Sequence, residues 1–253
     1  MISINTNTAS SLAAYNLGST NVNLQKSLQR LSSGSRINNS IDDAGGLAVS
    51  MKLSSAIRRT EATQANVNNA LSLLQTQDGV MKSAEKVVTR MAELVQLAAD
   101  VTKSTTDTSL YQTEFQSLQS QLSSMLSEKF NGVSLFNSGG NDATITTTNT
   151  LTVVTAQDGG QTIGITQADL GSVAYYVGTG SAAALGGTAI ATVFGSSTGA
   201  ANAVSSITAA IQNLATLRAT NGSEQSRLTF AADMLAINKV NLESANSRIA
   251  DVD

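Results

Sequence analysis

Between Leu53 and Val101 the apolar residues Leu53, Ile57, Val67, Leu71, Leu74, Met81, Val88 and Val95 keep a heptad register, interrupted by polar side chains at Thr60, Gln64 and Asp78. That spacing is the seam of a long helix packed along its length. A parallel seam runs through Leu73, Val80, Val87, Leu94 and Val101 at intervals of seven. The apolar face is therefore wider than a two-stranded coiled coil needs, and the helix must be gripped from two sides. Uninterrupted, it would be on the order of 70 Å long, well beyond an ordinary globular helix. The fold class this implies is mainly α: an elongated antiparallel bundle or coiled coil.

Partners for this helix lie on both sides of it in the chain. Tyr111, Phe115, Leu118, Leu122 and Met125 mark a shorter helix from Ser109 to Lys129, with Ser109 and Gln112 at capping-box spacing and Asn131 with Gly132 as its stop. The short return favours an antiparallel hairpin of the two helices. A last helical segment carries Val204, Ile207, Ile211 and Leu214, then Leu228, Leu235, Leu242 and Ile249. Asn221 and Gly222 lie between its halves. The register survives them, so the segment reads as one helix of about 45 residues, weakened by about 1 kcal/mol at the glycine.

The first segment is different. Leu17, Leu24, Leu28 and Leu31 form a narrow stripe flanked by Asn and Ser, too thin for a stable lone helix in water, and disorder is expected until a partner covers it. Ser32 to Gly34 ends it, and Asp42 or Asp43 caps the long helix that follows. Asn137 to Ala200 is rich in Gly, Thr, Ser and Ala. There Leu151–Thr155 and Thr162–Thr166 read as strands joined across Asp158, Gly159 and Gly160, with Tyr175–Val177 as a third. Residues 178–200 approach low complexity, and the Ser and Thr density of the segment permits O-glycosylation.

Composition removes most chemistry. The 253 residues contain no His, Cys, Pro or Trp. A Ser-His-Asp triad and a structural zinc site are thereby excluded, no GxxxxGK loop is present, and no cofactor is expected. Asp42 with Asp43 is a conceivable divalent-cation pair, but capping explains it more simply. Charged residues are 13% of the chain, with a net charge of −3, against about 25% in ordinary domains. No footprint for nucleic acid follows from this, and Arg58 with Arg59 reads as a solvated or intersubunit pair. No stretch approaches the roughly 20 apolar residues of a membrane span, and the N-terminus has no secretory signal pattern.

Several stretches are specific enough to carry a resemblance: MISINTNTASSLAAYNL at the start, LQRLSSGSRINNSIDDAGGLAVSMKL from Leu28, QTQDGVMKSAEKVVTRMAELVQLAAD from Gln75, FNGVSLF from Phe130 and NLESANSRIADVD at the end. In this order they resemble bacterial flagellin over residues 1–136 and 203–253. The resemblance implies a structural protein, not an enzyme, that polymerises with itself into the flagellar filament. Residues 1–35, with Leu17, Leu24, Leu28 and Leu31, would form the inner tube. Residues 36–52, with Arg36, Ile37, Asp42 and Asp43, would form its spoke, 53–136 with 203–253 the rod, and 137–202 a variable outer domain. It also implies an export chaperone, passage unfolded through the flagellar type III export apparatus, and a place on the extracellular flagellum. Missing Cys and Pro suit that route. Flagellins continue past ADVD into a helix that pairs with the N-terminal one; this sequence stops at Asp253 and reads as cut there.

Many flagellins are recognised by Toll-like receptor 5 through an Arg, a Leu on the same helix and a Glu on the next. The matching positions are Arg90, Leu94 and Glu114, with Glu93 beside them. Ala92, and the VQL of Val95 to Leu97 in place of AVQ, depart from the family pattern, and packing of Leu94 in the seam with Arg90 as a subunit contact remains an alternative. Two other readings stay open: a hook-filament junction protein, disfavoured by the full SRINNSIDDAGGLAVS match, and a flagellin-like adhesin. The adhesin would have only Tyr175, Tyr176 and Phe194 to stack on a glycan.

Overall fold

The computed structural model describes residues 7–137, 150–177 and 197–252. Expectations for residues 178–196, for the side chains of Tyr175 and Tyr176, and for glycosylation within 138–149 and 178–196 lie outside the described residues.

The long helix is α2, Ala44–Ala98. It begins before Leu53 because Asp43 caps it, its Oδ1 accepting from Gly46 N at 2.8 Å. It stops before Val101, which is 96% exposed in the turn that follows. The preceding helix, α1, spans Thr8–Ser33. The expected disorder is corrected here: α1 is helical, started by Asn7, whose side chain accepts from Ser10 N, and stopped by left-handed Gly34. It buries none of its residues. Its far turns are held by Asp42, which takes Lys26 Nζ at 2.6 Å and Arg30 Nη2 at 3.8 Å.

Helix α3 is Thr105–Met125, earlier than the sequence reading placed it. The capping box is Ser104 with Asp107, not Ser109 with Gln112: Ser104 Oγ accepts from Asp107 N, and the Asp107 carboxylate accepts from Ser104 N. Asn131 and Gly132 do not end this helix either. Both have positive φ, 50° and 82°, which is the pattern of a tight hairpin turn, and they join β1, Lys129–Phe130, to β2, Val133–Ser134. A second hairpin pairs β3, Thr150–Val154, with β4, Thr162–Thr166, matching Leu151 to Ile165 and Val153 to Ile163. The expected third strand at Tyr175–Val177 belongs instead to helix α4, Leu170–Val177, started by Asp169, whose Oδ1 accepts from Ser172 N. Helix α5 runs Ser197–Ala250 without a break at Asn221 or Gly222.

Two compact units result, one of residues 7–62 and 234–252, the other of 63–233. In the second, Met81, Val88 and Val95 of α2 pack in one core with Phe115 and Leu122 of α3 and Ile207 and Leu214 of α5. Leu170, Val173 and Val177 of α4 belong to the same core. The second seam of α2 joins it too, with Leu94 buried and Leu73, Val80 and Val87 half-buried against it. Asn221 is buried because its Nδ2 donates to Leu74 O and to Gln77 Oε1, and Gln77 Nε2 donates in turn to Leu135 O. Arg218 ties the same helices at the surface, to Asp78 at 3.1 Å and Glu85 at 2.6 Å.

The helix surfaces are unusual in one respect. Hydroxyls of Ser72, Thr76, Ser83 and Thr89 on α2, Thr113, Ser117, Ser120 and Ser124 on α3, and Thr208, Thr216, Thr220 and Thr229 on α5 each donate to the carbonyl four residues back.

Candidate assembly and recognition surfaces

The α1 stripe is the first surface. Leu12, Leu17, Leu24, Leu28 and Leu31 are 55–75% exposed along one helix. A row of this kind is unstable against water and asks for an apolar partner.

The spoke residues come together with the far end of α5. Arg36 N donates to Ala250 O at 2.7 Å, and its guanidinium gives both Nε and Nη2 to Ile249 O at 3.1 and 2.8 Å. These carbonyls have no partner inside the helix, so a cation there satisfies hydrogen-bonding need and dipole at once. Val252 N returns the bond to Gly34 O, and Ser35 bridges Asp251. Asp43 sits 3.9 Å from Arg36 Nη2 while capping α2. Asp42 accepts from Asn38 N and Asn39 N as well as from Lys26. The Lys26 hydrogen bond, more than these backbone bonds, holds its carboxyl below the usual range. Ile37 is half-buried and its Cδ1 closes on Gly46. Both carboxylates of the pair are thus spent within the spoke, and among the described residues no group of three or more Asp or Glu gathers as metal ligands.

The Arg90 cluster is the third surface. Arg90 bridges two helices, with Nε on Glu114 Oε1 at 2.8 Å and Nη1 on Glu93 Oε2 at 2.9 Å. All three side chains are about half exposed. Glu114 first, then Glu93, stabilises the charged guanidinium and raises its pKa further. Leu94 is not on this surface: it is fully buried in the core beneath it. What the geometry offers a partner is a planar cation pinned between two carboxylates, able to exchange one for a carboxylate of the partner.

A further surface escaped the sequence reading. Met234, Ile237 and Val240 on α5 are 62–63% exposed. Their spacing is a signal in its own right, but the stronger seam at Leu228, Leu235 and Leu242 drew the pattern to the other face. Among the described residues no helix is long and apolar enough to cross a membrane.

Comparison with known proteins gives the chain its relatives. The family model for the bacterial flagellin N-terminal helical region matches residues 4–141, and that for the C-terminal helical region matches residues 204–253. The chain is 33% identical over 256 residues to the flagellar filament 33 kDa core protein of Treponema phagedenis, covering 99% of this chain and 86% of that protein. It is 32% identical over 270 residues to the flagellin of Bacillus subtilis, covering 99% and 87%. The crystal structure of Bacillus cereus flagellin shares the fold, with a TM-score of 0.52 at 24% identity over 67% of this chain and 88% of that one. With family models over both ends and these relatives along nearly its whole length, the chain belongs to the bacterial flagellins, the self-assembling structural subunits of the flagellar filament.

Proposed function

We propose that this subunit enters its filament through the α1 stripe, with Leu17, Leu24, Leu28 and Leu31 covered by neighbouring copies in an inner tube. The observation behind this is that α1 is helical yet buries none of its residues. Residues 36–52 then serve as the spoke, 53–136 with 203–253 as the rod, and 137–202 as the variable segment. Seeding purified protein with filament fragments tests the reading. Wild type elongates the seeds, while a Leu24→Lys, Leu28→Lys variant stays monomeric with unchanged helical circular dichroism. Elongation of the variant at the wild-type rate would sink the role given to α1.

The route out is unfolded export through the flagellar type III apparatus, handed over by an export chaperone. A chain with no Cys and no Pro has no disulfide to reduce and no prolyl bond to isomerise after passage. Secretion should persist in a strain lacking the filament cap and stop in one lacking the export channel.

A second partner is Toll-like receptor 5, reached by Arg90, Glu93 and Glu114, with Leu94 setting the height of the surface from below. The exposed two-helix ion cluster supports this. Binding of monomer to the receptor ectodomain should weaken at least about tenfold in Arg90→Asp, the scale of one lost charge-assisted contact. Equal affinity of variant and wild type would refute it.

A further inference from the structure

In the unit formed by residues 7–62 and 234–252, α5 meets α2 through buried Leu235, through Lys239 Nζ on Glu61 at 2.8 Å, and through Asn246 accepting from Ser50 Oγ at 2.8 Å. At 100° per residue, Met234, Ile237 and Val240 lie on the opposite side of α5. They are exposed by 63%, 62% and 62%. On α2, beside that contact, is a shallow groove lined by Met51, Ser54, Ser55, Arg58, Arg59 and Ala62, with Ser50, which itself bonds Asn246, at its edge. Its short side chains leave room for apolar knobs, and Met51 gives it an apolar wall, 65% exposed.

We propose that the Met234, Ile237 and Val240 stripe of one copy seats in the α2 groove of a second copy. This rests on the filament reading and specifies one of its contacts. The stripe faces away from α2, so it cannot reach the groove of its own chain, and a homopolymer supplies the partner. Glu243, one turn beyond Val240, about half exposed and 3.7 Å from Lys239 Nζ, is opposite in charge to Arg58 in the groove. That match sets direction and register rather than strength. Stripe and groove are different patches on different helices, so their union is heterologous. Such contacts propagate instead of closing into a two-fold dimer.

The chain has no cysteine, which makes the contact directly readable. Filaments are grown from an equal mixture of Ile237→Cys and Ser54→Cys protein and treated with a short bismaleimide. Cross-linked dimers are expected from the mixture and not from filaments of either variant alone. As a second readout, Arg58→Glu should slow seeded elongation by about tenfold, and adding Glu243→Arg to the same chain should restore it. Filaments that cross-link in Ile237→Cys alone, or in no mixture, overturn the pairing and leave the filament role intact, as does a charge reversal without rescue. Wild-type protein that fails to elongate seeds removes both.

Discussion

Gly46 shows how tightly the spoke is drawn onto the start of α2. A Cβ there would collide with Oδ2 of the capping Asp43 carboxylate and stand 2.8 Å from Ile37 Cδ1, so the cap and the packing of the spoke must both give way. Gly46→Ala should cost about 1–2 kcal/mol, the value of a helix cap, seen as a lower thermal midpoint. Gly79, mid-helix in α2 with open space around it, should respond oppositely and gain about 0.5–1 kcal/mol as Ala. Asp42 adds a pH dependence. Its carboxyl is held below the usual aspartate range, so the unfolded chain binds its proton first on acidification. The stability it supplies is complete above the ordinary aspartate pKa and is lost as pH falls through the lowered one. Hydrogen exchange in the last turns of α1 should accelerate over that acidic window in wild type, and Asp42→Asn should show the faster rate already at neutral pH. The cap was legible as Asp42 or Asp43 from their place before a helix, and Asp43 is the one that makes it. The Arg36 bonds to Ile249 were not, since nothing local in the sequence signals a contact between residues so far apart.

Among the elements, the helices were legible wherever apolar spacing persisted. Seams in α2, α3 and the length of α5 all follow from it. The misreadings have a common cause, which is that local signals are ambiguous without their partners. Asn131 with Gly132 suits a helix stop as well as a hairpin turn, and strands of two residues carry no period to decide between them. Tyr175–Val177 reads as strand by propensity, yet the strong apolar run from Leu170 is wanted by the core as one face of a helix. Asn221 is the instructive case. The register carries the helix through it, but only the structure shows that it is buried and bonds Leu74 O and Gln77 Oε1 across the α2 to α5 contact. Replacing it with Leu strands Gln77 Oε1 in the core, at about 1–3 kcal/mol, while Leu74 O keeps its bond from Gln225 Nε2. A urea midpoint lowered correspondingly, with an unchanged slope, is the expected outcome.

For the whole molecule, the decisive property is how little of the helical surface is charged. Assembly then depends on apolar stripes and neutral polar faces, and salt screening has little to act on. Seeded elongation should change by less than about threefold when sodium chloride rises from about 0.05 to 0.5 M. A steep fall would mean that ion pairs carry the contacts. The hydroxyls that bond back to their own helices make such a surface workable. A lysine or glutamate brought against a neighbour must shed a tightly held hydration shell, whereas these donors are already occupied within their own backbone. A face built of them can be dried cheaply and wetted again without leaving an orphaned group.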